Sequence, residues 1–362
     1  MKIIIIGAGV AGLAIGWRLV EAGQEVIILE RTQPGAGATW ASAGMLAVTA
    51  EAQNSSTAEL EFARYSNGLW PDFARRLEAE SGRDIGYAAD GALMLAEDTA
   101  ALARLERQAV QPGLELIDAG RVRAIAPLVT SDIAGGLWSS CEAHVDNRAL
   151  GRALAIAFQK AGGRLLTNEG VVRIERRNGR AAVAHTPFGL YHADAFLLAA
   201  GAWSGLLEQE IAPITAVKGQ MILMTPPGHM PPNQTAPGPV IWGNGIYAVP
   251  RAGGLAIGAT VEEAGFDTSL TDDARRTLRA AAEKLMQDLR GWTVSDQWAG
   301  LRPRAPDGLP MLGPTAVEGL WLAGGQYRNG ILFAPAIAET MADQILRRGT
   351  MNPAFDPRRF AT

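Results

Sequence analysis

The chain has 362 residues, more than one hydrophobic core usually supports, so two domains are expected. Hydrophobic residues at 48% and charged residues at 19% exclude a disordered chain, and a formal net charge of −4 leaves no basic surplus for nucleic acid or an anionic membrane. The single cysteine, Cys141, excludes an internal disulfide and a cysteine-based zinc site and fits a reducing compartment.

The chain opens on "MKIIIIGAGVAGLAIG". Its apolar run resembles a signal peptide on the surface, but the glycine spacing favours another reading. Ile3 to Ile6 form a short β-branched run that suits a strand buried on both faces. Gly7, Gly9 and Gly12 then complete G-x-G-x-x-G, and Leu13, Trp17 and Val20 continue as one face of a helix that Gly23 closes. A second strand, "EVIILE", ends at Glu30, eighteen residues after Gly12. Strand, glycines, helix, strand and acid in this order predict a dinucleotide site. Gly7 permits the turn, Gly9 admits the pyrophosphate, and Gly12 lets helix and strand pack closely. The phosphates would sit at the helix N-terminus, and Glu30 would accept from ribose hydroxyls. The stretch "RTQPGAGATWASAGMLAVTAE" has no helical period, is rich in small residues, and is expected to line a flat or charged ligand.

Residues 57 to 80 predict a helix, broken or bent near Gly68 and Pro71. Residues 91 to 98 alternate like a strand, and 98 to 109 read as helix. The segment 145 to 163 is a helix that Asp146 or Asn147 can cap and Gly162–Gly163 ends. Strands flank a turn at Asn178–Gly179, and Ala195 to Ala200 is a further buried strand. From about Pro213 antiparallel-type strands dominate, followed by an amphipathic helix, "TDDARRTLRAAAEKLMQDL". Asp272 and Asp273 sit at its positive end, with Ala274, Leu278, Ala281, Leu285 and Leu289 on its core face. "GLWLAGG" is a last buried strand, and the final helix runs from Gly330 onward. The fold class is therefore α/β: a Rossmann-like domain and a second, antiparallel-sheet domain. The first would be assembled from 1–86, 141–215 and 300–362, the second from 87–140 and 216–299. No run of about 18 apolar residues predicts a membrane span.

Five stretches, "IIIIGAGVAGLAIGWRL", "ASAGML", "AVKGQM", "YAVPR…GATVEEAGF" and "GLRPRAPDGLPMLG" with "YRNGILFAPA", resemble in order the flavin-dependent amine oxidases of the D-amino-acid oxidase class. Within that class they are similar to the glycine oxidases of bacterial thiamine biosynthesis. The resemblance implies non-covalent FAD, a two-domain fold, and oxidation of a small amine or amino acid with molecular oxygen. The products would be an imine or oxoacid, ammonia and hydrogen peroxide. Sarcosine or N-alkylglycine oxidation, and a D-amino-acid dehydrogenase passing electrons to a quinone, stand as alternatives. Cys141 does not match the flavin-linking cysteine of sarcosine oxidases. A cytoplasmic homo-oligomer is implied.

The resemblance also names residues. Arg302 would bind the substrate carboxylate, as a planar guanidinium does bidentately. Tyr247 and Arg328 would join it. For FAD it points to Gly7, Gly9, Gly12, Glu30, Arg31, Ser42, Gly44, Met45, Leu46, Val171, Gly201, Trp203, Gly325, Gly330, Ile331 and Leu332. Val261 stands where the family often has methionine, which is expected to change pocket volume. The four histidines, His144, His185, His192 and His229, lie outside these motifs, and no Ser/His/Asp arrangement or two-His metal spacing occurs. No protein general base is needed if the deprotonated amine is selected from solution, so activity is expected to rise with pH.

Overall fold

A computed structural model describes every residue except 52–54, 110–112, 229–237, 351 and 361–362. The first sheet has six strands in the order Met311–Pro314, Leu320–Gly324, Ala195–Leu198, Lys2–Ile6, Glu25–Leu29, Arg164–Leu166. All its pairings are parallel except the one between Met311–Pro314 and Leu320–Gly324. The isoleucines of Lys2–Ile6 are buried on both faces, as a central parallel strand requires. Ile3 and Ile5 pack with the helices Val10–Glu21, Thr57–Ser81, Asn147–Lys160 and Ala334–Ile345. Ile4 and Ile6 pack beneath the three-stranded sheet Arg173–Arg177, Arg180–His185 and Leu190–His192. The turn between the first two of these strands holds Asn178 and Gly179 at φ of 51° and 79°, as a two-residue hairpin of the predicted kind demands.

The second sheet has eight strands, in the order Thr293–Arg304, Thr215–Thr225, Gly254–Gly258, Ile246–Arg251, Val240–Gly243, Ala92–Ala96, Gly135–Ser139, Leu114–Asp118. Only Val240–Gly243 and Ala92–Ala96 pair in parallel. The Asp272–Leu285 helix covers one face through Leu278, Ala282 and Leu285. Thr271 caps it through its hydroxyl, and Asp272 and Asp273 occupy its first turn. The opposite face packs on Ala41 and Ala43 of the small-residue stretch.

Four local expectations are corrected or narrowed. Thr57–Ser81 is one unbroken helix with Gly68 and Pro71 inside it. Trp70, Ala74 and Leu77 are buried along it, and that packing outweighs the hydrogen bond Pro71 removes. Ala92–Ala96 is buried throughout, because both faces are covered, so it does not alternate. Asp146 alone caps the Asn147–Lys160 helix, and the Asn147 amide is turned to other work. The last helix begins at Ala334, after a turn through Gly330. Among the described residues no helix is long and apolar enough to cross a membrane.

Candidate active site

Both sheets contribute to the wall of a cavity of about 440 Å³. At one end stand the chain's first turn and the ends of the parallel strands. Gly7 has φ +105°, and a β-carbon there would lie 2.6 Å from the carbonyl oxygen of Ala199. A β-carbon at Gly12 would lie 2.1 Å from the carbonyl oxygen of Gly7, so only glycine lets the helix start this close to the turn. At Gly9 the nearest atom to a β-carbon is Thr39 Oγ1 at 3.7 Å, and the backbone there fronts the cavity. Glu30 accepts from the amides of Ala8 and Thr32, each at 2.8 Å, which fixes its carboxylate at the wall. Next to it the Arg31 guanidinium lies 4.2 Å from the Trp203 ring centroid, in the range of a cation–π contact. This end fits a dinucleotide cofactor.

The small-residue stretch forms the middle of the wall from Ala36 to Met45, apart from Trp40. Its shape is held from outside. Asn147 donates to the carbonyls of Thr39 (2.6 Å) and Trp40 (2.9 Å). Thr39 Oγ1 accepts from the amide of Val10 at the helix start. Arg251, from the second sheet, donates to the carbonyls of Ser42 and Ala43 and to Asn147 Oδ1. Burial pulls the Arg251 pKa down to about 10, with Asp146 opposing. Gln326, 6% exposed, presents at this wall a buried Nε2 without a hydrogen-bond partner among the described residues. A donor stranded in this way suits a cofactor carrying acceptors.

The second sheet supplies the remaining wall. Met221 and Gly219 line it from Thr215–Thr225 and Tyr247 from Ile246–Arg251, two strands on, with Gly300 and Arg302 from the edge strand. The Tyr247 ring lies against Gly258, where a β-carbon would fall 2.5 Å from it, and packs on Trp242 at 5.2 Å between centroids. Arg302 Nη1 donates to the carbonyls of Lys218 (3.4 Å) and Thr260 (3.2 Å). Its Nε and Nη2 have no hydrogen-bond partner among the described residues. Arg328 follows Tyr327, whose φ is +47°, and its guanidinium lies 5.3 Å from the Tyr327 ring centroid. Three arginines (Arg31, Arg302, Arg328) thus share the described wall with one carboxylate, Glu30. That balance favours anionic ligands.

Of the residues singled out in the sequence, Gly7, Gly9, Glu30, Arg31, Ser42, Gly44, Met45, Val171, Gly201, Trp203, Tyr247, Arg302, Arg328, Gly330 and Ile331 line the cavity. Gly12, Leu46, Gly325 and Leu332 do not. Leu46 is fully buried in the core, and Leu332 offers its carbonyl to Ser66 and Trp70. Gly325 has φ +72° and makes a turn against Ala305. Val261 is 53% exposed and off the wall, so it does not set the volume of this pocket. His144 is buried, while His185 and His192 lie on the three-stranded sheet. His229 lies outside the described residues. Sequence reasoning missed Thr39, Gln326 and the supporting pair Asn147 and Arg251. Gln326 sits two residues from Arg328 in a stretch already marked, whereas Arg251 is separated from its loop by more than 200 residues.

The chain is similar to known proteins along nearly its whole length. The model of the FAD dependent oxidoreductase (DAO) family matches residues 2–344. A glycine oxidase of Pseudomonas aeruginosa is 34% identical over 368 residues, covering 99% of this chain and 98% of that one. A bifunctional protein ThiO/ThiG of Trichormus variabilis is 34% identical over 350 residues, covering 96% of this chain and 53% of that one. Among solved structures, glycine oxidase from Geobacillus kaustophilus aligns with a TM-score of 0.90 at 30% identity and covers 99% of both chains.

Proposed function

Because the chain belongs to the family of FAD-dependent oxidoreductases, we propose that it oxidises glycine or a closely related small amine or D-amino acid, with molecular oxygen as acceptor. It is an FAD-dependent enzyme of mixed α/β fold. The observation that carries the substrate reading is Arg302, which keeps two guanidinium nitrogens unbonded among the described residues, on the wall that it shares with Tyr247 and Arg328. Full-length similarity to glycine oxidases supports it.

In this reading FAD is held non-covalently by the glycine turn, Glu30, Arg31, the Ser42–Met45 loop, Val171, Gly201, Trp203, Gly330 and Ile331. When bound it supplies the chemistry of accepting a hydride from the substrate α-carbon and returning the electrons to oxygen as hydrogen peroxide. The protein's part is orientation. Arg302 takes the substrate carboxylate through Nε and Nη2 while two carbonyls hold Nη1. Tyr247 and Arg328 close on the same carboxylate, which fixes the α-carbon in the cavity. Loss of hydride and a proton from the amine leaves an imine, which water converts to an oxoacid and ammonia. The imine can equally supply thiazole synthesis for thiamine.

The reading also divides the chain in two, a cofactor domain built on the parallel sheet and a substrate domain built on the antiparallel one. Two boundaries, 215/216 and 299/300, fall within paired strands, so both long strands belong to the substrate sheet along most of their length. It includes a cytoplasmic location, supported by the lone cysteine, and a homo-oligomer, which sedimentation velocity tests.

Anaerobic mixing of the FAD-loaded enzyme with a panel of glycine, sarcosine and small D-amino acids should bleach the flavin, and in air the same substrates should yield peroxide. Arg302→Ala should lose apparent affinity for every carboxylate on the panel. Reduction that persists in air without peroxide, with a quinone or dye as the efficient acceptor, would replace the oxidase with a dehydrogenase.

A further inference from the structure

Lys218 is 2% exposed, and the mechanism above leaves it idle. It lies on Thr215–Thr225, directly before Gly219, and on the sheet face away from the cavity, since Gly219 and Arg302 occupy the other. Its ammonium is 3.4 Å from Glu262 Oε2 and 3.6 Å from Asp267 Oδ2. A buried lysine costs stability unless paired, so its retention needs a reason.

The reason is the segment that follows Gly254–Gly258. Met221 pairs with Gly258, but Lys218 pairs with Glu262, so two residues of one strand oppose three of the other. This is a β-bulge, a device that re-aims groups beside a site. The carbonyl of Thr260, inside the bulge, accepts from Arg302 Nη1 instead of from the neighbouring strand. The bulge is fastened in both directions. The Lys218 amide donates to the Glu262 carbonyl, and the Glu262 amide to the Lys218 carbonyl. Thr260 Oγ1 donates to Glu262 Oε1 and accepts from the Gln220 amide, while Gln220 Nε2 donates to Glu262 Oε1 as well. Two of these bonds, from Thr260 Oγ1 and Gln220 Nε2, end on the Glu262 carboxylate, and Lys218 is a cation beside it.

We propose that Lys218 is a positioning residue for substrate-carboxylate binding: by holding Glu262 it fixes the bulge, and the Thr260 and Lys218 carbonyls then hold the Arg302 guanidinium in place. This rests on Arg302 being the carboxylate ligand, so the test carries an Arg302→Ala arm.

The experiment titrates FAD-loaded enzyme with acetate, read by the perturbation of flavin absorbance, and measures the limiting rate of flavin reduction by glycine. Lys218→Met should raise the acetate Kd and the glycine KM about tenfold while changing the limiting rate less than about threefold. Lys218→Arg should restore most of the affinity. Glu262→Gln, at a partly exposed position, should give the same pattern, and its effect should not add to that of Lys218→Met. It supplies the reading if Lys218→Met does not fold. Unchanged acetate affinity in a folded Lys218→Met or Glu262→Gln protein, beside a weakened Arg302→Ala, overturns this inference alone. Equal losses in affinity and limiting rate also overturn it, because they mark general damage. Unchanged acetate affinity in Arg302→Ala overturns the carboxylate assignment, and this inference with it.

Discussion

The guanidinium of Arg302 lies on the backbone of Gly219, so close that a β-carbon there would come within 2.3 Å of Nη1 and 2.5 Å of Nη2. The two residues are diagonal neighbours on paired strands, Val217 standing opposite Arg302 and Gly219 opposite Gly300. The atoms in the way are the far end of a flexible side chain, not backbone. Gly219→Ala should therefore fold normally, with stability changed by less than about 1 kcal/mol, because the arginine moves aside. The cost appears in function. Displacing the fork should raise KM for a carboxylate substrate about tenfold or more, with a smaller change in the limiting rate of flavin reduction. A Gly219→Ala enzyme with ordinary KM would mean that Arg302 does not bind substrate from this position.

The described cavity wall holds no histidine, and its one carboxylate, Glu30, is tied to the amides of Ala8 and Thr32 in the nucleotide half. The substrate's amine proton is then best lost to solvent before binding. We expect kcat/KM to rise from pH 7 to pH 9, by up to about tenfold per pH unit for one proton. A profile that is flat over this range would call for a base among the cavity groups.

Much of this was legible beforehand because it is local. The G-x-G-x-x-G turn, Glu30 and the first helix depend on residues within thirty positions of one another, and periodicity and glycine spacing reveal them. Arg302, Tyr247 and Arg328 are proposed from motif resemblance, and all three line the cavity. What sequence could not show was long-range seating. Asn147 stands at a position that can cap a helix, yet its amide reaches back to Thr39 and Trp40. Lys218 read as part of a motif and not as a buried charge, because the bulge that buries it is set by Glu262. Val261, expected to change the pocket volume, instead lies in the bulge and is exposed.

Two glycines should respond to alanine with opposite signs. At Gly12 the added carbon would meet the Gly7 carbonyl oxygen at 2.1 Å, a backbone contact that no rotamer change relieves. Gly12→Ala should cost on the order of 3 kcal/mol and release FAD. Gly68 sits inside the Thr57–Ser81 helix with nothing within 4 Å of a β-carbon. Gly68→Ala should stabilise by about 0.5–1 kcal/mol through helix propensity alone. Thermal midpoints and bound-FAD content of the two variants, measured side by side, check both; a Gly12→Ala protein that keeps its FAD and its midpoint would contradict the close-packing role of that glycine.

His144 gives the protein an acid-side weakness. It is 4% exposed, and its Nδ1 has no hydrogen-bond partner among the described residues. Burial lowers its pKa below the ordinary 6.5; Asp90 opposes the shift and Arg251 adds to it. The folded state therefore resists the proton that the unfolded chain accepts. Stability from this site is fully present above about pH 6.5 and is lost as pH falls towards the lower folded value. Carboxylates held low in the fold, such as Glu175 at about 2, contribute their own loss only in a more acidic window. Between pH 7.5 and 5.5 the thermal midpoint of the wild type should thus fall more steeply than that of His144→Asn, which removes the titrating group and keeps a polar side chain. Parallel curves for the two proteins across that range would show that His144 takes up its proton as readily in the folded state as in the unfolded one.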